Sequence, residues 1–218
     1  MKAIYKRELR SYFTSPIGYV FVAVYLVLSG VLFAYTTLLS AISGGSADIG
    51  TYFTVLICGF SFLLPLLTMR LFADDRRMKT EQLLLTAPVS IGGMVGAKFL
   101  AAYTVFAGTY AVSALDFLLL YIYNDTTGVV TEKNTAMLVG YSIAVLLLGA
   151  AFIAIGVFVS SLTEHQITAV IATIAILAFC LCCGMLNSVI SFAPLRSVLS
   201  WLSIYSRFQN FAYGVFDF

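Results

Sequence analysis

Five long apolar stretches, separated by short polar or charged segments, account for most of the chain. They cover residues 17–42, 51–70, 99–123, 135–162 and 167–192. An α-helix that crosses a membrane needs about 20 predominantly apolar residues, and each stretch is long enough. The pattern therefore predicts an all-α integral membrane protein with five transmembrane helices.

Residues 1–14 precede the first stretch and have an amphipathic pattern instead. At helical spacing, one side carries the apolar residues Met1, Ile4, Tyr5, Leu9, Tyr12 and Phe13, and most of the basic residues fall on the other. Such a helix suits the headgroup region of a membrane with anionic lipids. A cleaved signal peptide is the alternative, but its apolar core spans only about 7–15 residues. We therefore expect an interfacial helix followed by a retained first span.

The residues after the fifth stretch predict two further features. Residues 197–207 form an apolar segment too short to cross a bilayer, which indicates an outer interfacial or re-entrant helix. Residues 208–218 have the composition of the approach to a sixth span. We treat residues 1–218 as a single transmembrane domain.

Composition supports a membrane protein, since 61% of residues are hydrophobic and only 10% are charged. Soluble domains carry about a quarter charged residues. The four cysteines all lie in apolar stretches, so we interpret them as packing residues and expect neither disulfides nor a metal site.

Basic residues are distributed unevenly between the two sides of the membrane. If the N-terminus is inside, nine of the twelve lie inside, namely Lys2, Lys6, Arg7, Arg10, Arg70, Arg76, Arg77, Lys79 and Lys98. Lys133, Arg196 and Arg207 are then outside. The positive-inside rule predicts a cytoplasmic N-terminus, with residues 73–95 in the cytoplasm.

Eight of the 22 charged residues lie between Arg70 and Phe99. Residues 74–85 are strong helix formers in which acidic residues precede basic ones, and Pro88 follows a run of three leucines. A solvated helix that only sets the orientation would have this pattern. So would a helix that docks into a cytoplasmic partner.

Candidate catalytic groups are few. Residues 92–99 superficially resemble a phosphate-binding loop. However, Ala97 separates the glycine from the lysine, and Phe99 stands where a magnesium-binding serine or threonine is needed. The single histidine, His165, follows Ser160 and Ser161, and a turn-capping polar cluster explains these residues better than a nucleophile and its base. We predict no catalytic residue in this chain.

Asp116 is an acid inside the third apolar stretch, where a carboxylate is costly to bury. It could contact an ion or substrate on a transport pathway. It could equally form a structural hydrogen bond to a hydroxyl or to Trp201.

Three segments together resemble one family. Residues 74–90 with Lys98-Phe99 resemble the coupling segment of ABC-2 type permeases of ABC transporters, and gliding-motility and NosY-like members look most similar. Residues 160–166 resemble the turn between the fourth and fifth spans, although His165 stands where asparagine is more usual. Residues 206–215 resemble the entry to the last of six spans, so we expect the sixth span to lie beyond the numbered residues.

The resemblance implies a non-catalytic permease subunit of an exporter in the bacterial cytoplasmic membrane. Two separate ABC ATPase subunits would hold ATP and Mg²⁺, and a second permease, identical or homologous, would complete the complex; no nucleic acid is implied. The ATPase-docking residues would be Arg76, Arg77, Thr80, Glu81, Leu83, Leu84 and Pro88, with Glu164 and His165 forming a secondary cytoplasmic turn.

Two other functions stay open on the sequence. One is an ATP-independent carrier or channel that uses Asp116. The other is a membrane anchor for a surface machinery of the gliding type.

Overall fold

The computed structural model describes residues 2–39, 49–79, 90–118 and 132–187, and this part of the chain is helical without strands. Seven α-helices follow in order, namely α1 (Lys2–Thr14), α2 (Pro16–Leu32), α3 (Ile49–Thr68), α4 (Arg70–Arg77), α5 (Ile91–Ser113), α6 (Glu132–Leu162) and α7 (Gln166–Asn187). A π-helical segment, Phe33–Leu38, extends α2. Five helical stretches are long and apolar enough to cross a membrane, which confirms the predicted fold class.

Some helices of the structure begin or end at other residues than the apolar stretches of the sequence. The second spanning stretch runs from Ile49 to Arg77, past the predicted end at residue 70, and the third begins at Ile91 instead of residue 99. Two causes are visible: Leu71, Phe72 and Ala73 bury one side of α4, and the Ser90 side chain caps α5 by accepting a hydrogen bond from Gly93 N at 3.3 Å. Hydropathy marks where the side chains become charged, whereas helices continue as long as one face stays buried.

Several predicted features lie outside the described residues. These are the middle of the coupling segment at residues 80–89, the outer interfacial segment at 197–207 and the start of a sixth span at 208–218.

The amphipathic pattern of α1 is explained by contact with other helices. Its apolar residues Ile4, Tyr5, Leu9 and Tyr12 pack against the core formed by the spanning helices, so this side faces protein. Tyr12 is buried and its hydroxyl donates a hydrogen bond to Leu67 O at 2.8 Å. Burial raises the pKa of Tyr12, which keeps the hydroxyl a neutral donor.

A sharp turn joins α1 to α2. Ser15 caps α2 by accepting a hydrogen bond from Ile17 N, and Pro16 occupies the first helical position, where its missing N–H costs nothing. A Cβ on Gly18 would lie 2.2 Å from the Tyr12 carbonyl oxygen. Only glycine therefore lets α1 fold back this closely onto α2.

Helix α3 lies at the centre of the bundle, in contact with α2, α6 and α7. Twelve of its 20 residues are buried. Near its start, aromatic rings from four elements meet around Phe117, whose ring centroid lies 5.3 Å from that of Phe33 and 5.2 Å from that of Tyr52. Phe53 stacks on both Phe117 and Tyr141. We call these five residues the aromatic cluster.

The regular helix is interrupted at Met69, between α3 and α4, and a side chain from α6 stabilises the break. Ser160 Oγ accepts hydrogen bonds from Phe72 N at 3.2 Å and Ala73 N at 3.3 Å, and it donates to Met69 O at 3.0 Å. Insertion of a side chain into the hydrogen-bond ladder is an established cause of helix bending. Helix α6 can approach this point because Gly156 has no Cβ. A Cβ at this position would lie only 2.2 Å from the Thr68 side chain.

Candidate functional site

A buried lysine connects three helices at the end of the bundle that carries α1. Lys98 lies on α5 and is 1% exposed. Its Nζ lies 2.5 Å from Asp75 Oδ2 of α4 and 3.4 Å from Glu8 Oε1 of α1. The same ammonium donates to Leu71 O and lies 4.8 Å from the ring centroid of Phe72.

These contacts satisfy a charge that would otherwise be costly to bury. An ammonium loses several kcal/mol on leaving water, and only close opposite charges with further hydrogen bonds recover that loss. Lys98 has two carboxylates, a carbonyl and an aromatic face, so its contacts fulfil this requirement. We call Glu8, Asp75 and Lys98 the ionic cluster.

Arg7 extends the ionic cluster toward solvent. Its guanidinium donates to Glu8 Oε1 at 2.6 Å and lies 3.9 Å from Asp75 Oδ2. The hydrogen bond to Glu8 is the main reason that the pKa of Arg7 is raised. The two carboxylates are thus shared between one buried and one half-exposed base, which holds α1 against α4 and α5.

Arg70 and Asp74 form a second set of polar contacts around α4. Arg70 donates to Ser15 Oγ at 2.5 Å and to Ser11 Oγ at 3.4 Å, and its Nε lies 3.4 Å from Asp74 Oδ2. Gln166, at the start of α7, donates to the other oxygen of Asp74. Helix α4 is therefore joined by polar contacts to α1 on one side and to the α6–α7 turn on the other.

The predicted docking residues fall partly within the described chain. Arg76 is half-buried and Arg77 is exposed on the last turn of α4, directly after Asp75 of the ionic cluster. Thr80, Glu81, Leu83, Leu84 and Pro88 lie outside the described residues. Glu164 and His165 are exposed in the turn between α6 and α7, next to Gln166 and hence near α4.

Asp116 lies far from these residues. It is 18 positions beyond Lys98 on the same helical stretch, which corresponds to about 27 Å at 1.5 Å per residue. The side chain is half-buried and within electrostatic reach of the Tyr25 and Tyr52 hydroxyls. The structure thus separates Asp116 from the predicted docking residues, at the end of the bundle that holds the aromatic cluster.

Sequence reasoning assigned no specific contacts to Glu8, Asp75, Lys98 or Gln166. From the sequence, Lys98 counts toward the positive-inside pattern and toward the family resemblance, although its position between apolar residues of a helix is an available signal of burial. Its partners are 23 and 90 positions away in sequence, and no local pattern indicates such a pairing. Ser160 bonds to the backbone of α4, which gives it a structural role in stabilising the helix break.

Comparison with known proteins identifies the family. The family described as ABC-2 family transporter protein matches residues 19–215. No curated protein and no solved structure gives a significant match. The match extends over the five spanning helices and the segment between α4 and α5.

The family and the helices agree on a multi-pass membrane component of an ABC transporter, a class that associates with an ABC ATPase. Because the match covers most of the chain, this protein belongs to the ABC-2 family of transporter proteins.

Proposed function

We propose that this chain is the permease subunit of an ATP-driven ABC-2 exporter in a bacterial cytoplasmic membrane, with its N-terminus in the cytoplasm. One observation carries the proposal: the predicted docking segment is connected at both ends to the ionic cluster. The docking residues begin at Arg76, directly after Asp75, and end at Pro88, ten residues before Lys98. The Asp75 and Lys98 side chains are in direct contact.

The segment would dock into a groove on a separate ATPase subunit, which would hold ATP and Mg²⁺. Arg76, Arg77, Thr80, Glu81, Leu83 and Leu84 would provide the docking contacts, and Pro88 would end the docking helix. Two permease subunits, identical or homologous, would pair with two ATPase subunits. The substrate path would lie between the permeases, lined partly by the first, second and fifth spans.

Closure of the ATPase dimer would pull the segment, and the ionic cluster would carry that displacement to three helices at once. Asp75 moves with α4, Lys98 with α5 and Glu8 with α1. Coupling also requires that the segment bind differently to the open and closed ATPase, since equal affinity for both states shifts neither population. Helix α1 would then act as a lever at the membrane surface.

A charge swap tests the docking proposal. The double variant Arg77→Glu with Glu81→Lys keeps the net charge and reverses both charges of the segment. We expect about tenfold less ATPase to co-purify, and a similar loss of stimulated ATP hydrolysis, because complementary charges guide and orient docking.

The matched control is the swap Glu132→Lys with Lys133→Glu, which also preserves net charge but lies at the start of α6. This control should retain the bound ATPase, and both variants should insert into the membrane at wild-type levels. Wild-type co-purification and wild-type stimulation in the Arg77 and Glu81 variant would refute docking by these residues.

A further inference from the structure

An open cleft of about 740 Å³ lies where α1, the α1–α2 turn and Arg70 meet. It is lined by Ala3, Lys6, Arg7, Arg10, Ser11, Thr14, Ser15 and Arg70. The α1 members recur every three or four positions and so occupy one face of that helix. Four are basic, three carry hydroxyl groups and, among the described residues that line the cleft, none is acidic.

The unneutralised charge of the cleft comes from Lys6 and Arg10. Arg7 is paired with Glu8, and Arg70 lies against Asp74. Lys6 and Arg10 are exposed, and neither forms an ion pair within the described part of the chain. Two cations one helical turn apart, beside hydroxyl groups, suit an oxygen-rich anion such as a phosphate group.

The position of the cleft indicates where such a phosphate would come from. The cleft contains Ser15, which precedes the first span at Pro16, and Arg70, which lies within the charged end of the second. Beside it, Phe13 and Tyr19 are exposed and form an edge-to-face pair with ring centroids 6.4 Å apart. Tyrosine rings such as that of Tyr19 favour the headgroup level of a bilayer.

An apolar surface continues from this point along α2. Val20, Val24, Val27 and Val31 are all exposed and recur at helical spacing, so they form a stripe along one face. A stripe that starts within two turns of the cleft and runs into the span matches the shape of a phospholipid, with its headgroup at the cleft and an acyl chain on the valines.

We propose that this cleft binds the phosphate group of an anionic phospholipid. Lys6 and Arg10 are the main ligands, and Arg70 is a further basic residue of the lining. The hydroxyls of Ser11, Thr14 and Ser15 complete the polar wall. Bound lipid fixes α1 at the membrane surface. This site is independent of the proposed ATPase docking.

Native mass spectrometry of the full chain in detergent micelles, titrated with phosphatidylglycerol, tests the site. The variant Lys6→Gln with Arg10→Gln removes both unpaired cations without altering the core. Each basic residue near an anionic membrane surface contributes about fivefold to association, so we expect phosphatidylglycerol to bind this variant about 25-fold more weakly.

The matched control is Lys2→Gln with Lys79→Gln, which removes the same charge from exposed residues that do not line the cleft. It should bind phosphatidylglycerol like the wild type. Equal weakening in both double variants would overturn the site, because only overall charge would then matter.

Two further ligands distinguish the sources of the phosphate. Phosphatidylcholine should bind at least tenfold more weakly than phosphatidylglycerol, and inorganic phosphate at equal concentration should not displace the lipid. Equal binding of phosphatidylcholine would overturn recognition of the anionic headgroup. Displacement by inorganic phosphate would show a free-phosphate site and overturn the lipid proposal.

Discussion

Lys98 holds three helices together at the charged end of the bundle. It is almost fully buried, and its charge is balanced by carboxylates from two other helices. A buried ion pair adds little net stability over a well-packed apolar pair, but removal of one partner leaves the other charge buried without compensation. The ionic cluster is thus sensitive to single substitutions and tolerant of paired ones.

The substitution Lys98→Met should lower the free energy of unfolding by about 1–3 kcal/mol, because Asp75 and Glu8 would lose their buried cation and keep only Arg7 as a basic partner. Thermal unfolding of the purified protein in detergent measures the loss. The double variant Lys98→Met with Asp75→Asn should regain part of it, since one carboxylate charge is removed as well.

Lys2→Met, at an exposed position of α1, is the control and should stay within about 0.5 kcal/mol of the wild type. A Lys98→Met protein as stable as this control would contradict the structural role of the ionic cluster.

Among the helices, the junction of α3 and α4 at Met69 is where a side chain from another helix enters the backbone hydrogen bonding. Pro65 lies one turn before the break and cannot donate a backbone hydrogen bond. Separately from Pro65, Ser160 accepts hydrogen bonds from Phe72 N and Ala73 N and donates one to Met69 O. One hydroxyl from α6 therefore stabilises the backbone where α3 meets α4.

The substitution Ser160→Ala should cost about 1–3 kcal/mol, because two buried N–H groups and one carbonyl would lose their partner. Thermal unfolding in detergent again provides the measurement. Ser161→Ala is a close control, since the Ser161 hydroxyl donates only to Phe158 O within its own helix at 2.6 Å. Equal destabilisation by the two substitutions would show that Ser160 does not stabilise the break.

The five spanning helices could be predicted from sequence because long uncharged runs have few alternatives in a membrane. The ends of the helices could not, since α4 and the first turns of α5 are helical through burial against α1 and α6. For α1, the sequence indicated an apolar side, but only the packed structure shows that this side faces protein.

The candidate site was predictable in part. Charge density and the family resemblance indicated the segment around Arg76 and Arg77, because these are local features of the sequence. The contacts of Lys98, Asp74 and Ser160 depend on which helices are neighbours in space. The Asp74 partner Gln166 is 92 positions away in sequence. The spacing of apolar residues along a helix cannot indicate contacts between residues so far apart in the chain.

Considered as a whole, the molecule has two chemically different ends. Ionic and polar contacts join α1, α4, α5 and α7 at one end. At the other, the aromatic cluster packs the π-helical segment, α3 and α6 around Phe117. The proposed transport cycle would act on the polar end, where contacts can exchange with water, while the aromatic cluster holds the far ends of the helices together.

If this permease works with an ABC ATPase through the charged end of the bundle, the ATPase should stay bound when the protein is extracted from the membrane. The most direct test is gentle extraction of the tagged chain from its own cells, mass spectrometry of the co-purifying proteins, and measurement of MgATP hydrolysis by the purified complex. We expect an ABC ATPase subunit in roughly equal amount and hydrolysis that depends on it. A chain that purifies without any ATPase, even after crosslinking in the intact membrane, would show that this protein does not work with an ABC ATPase.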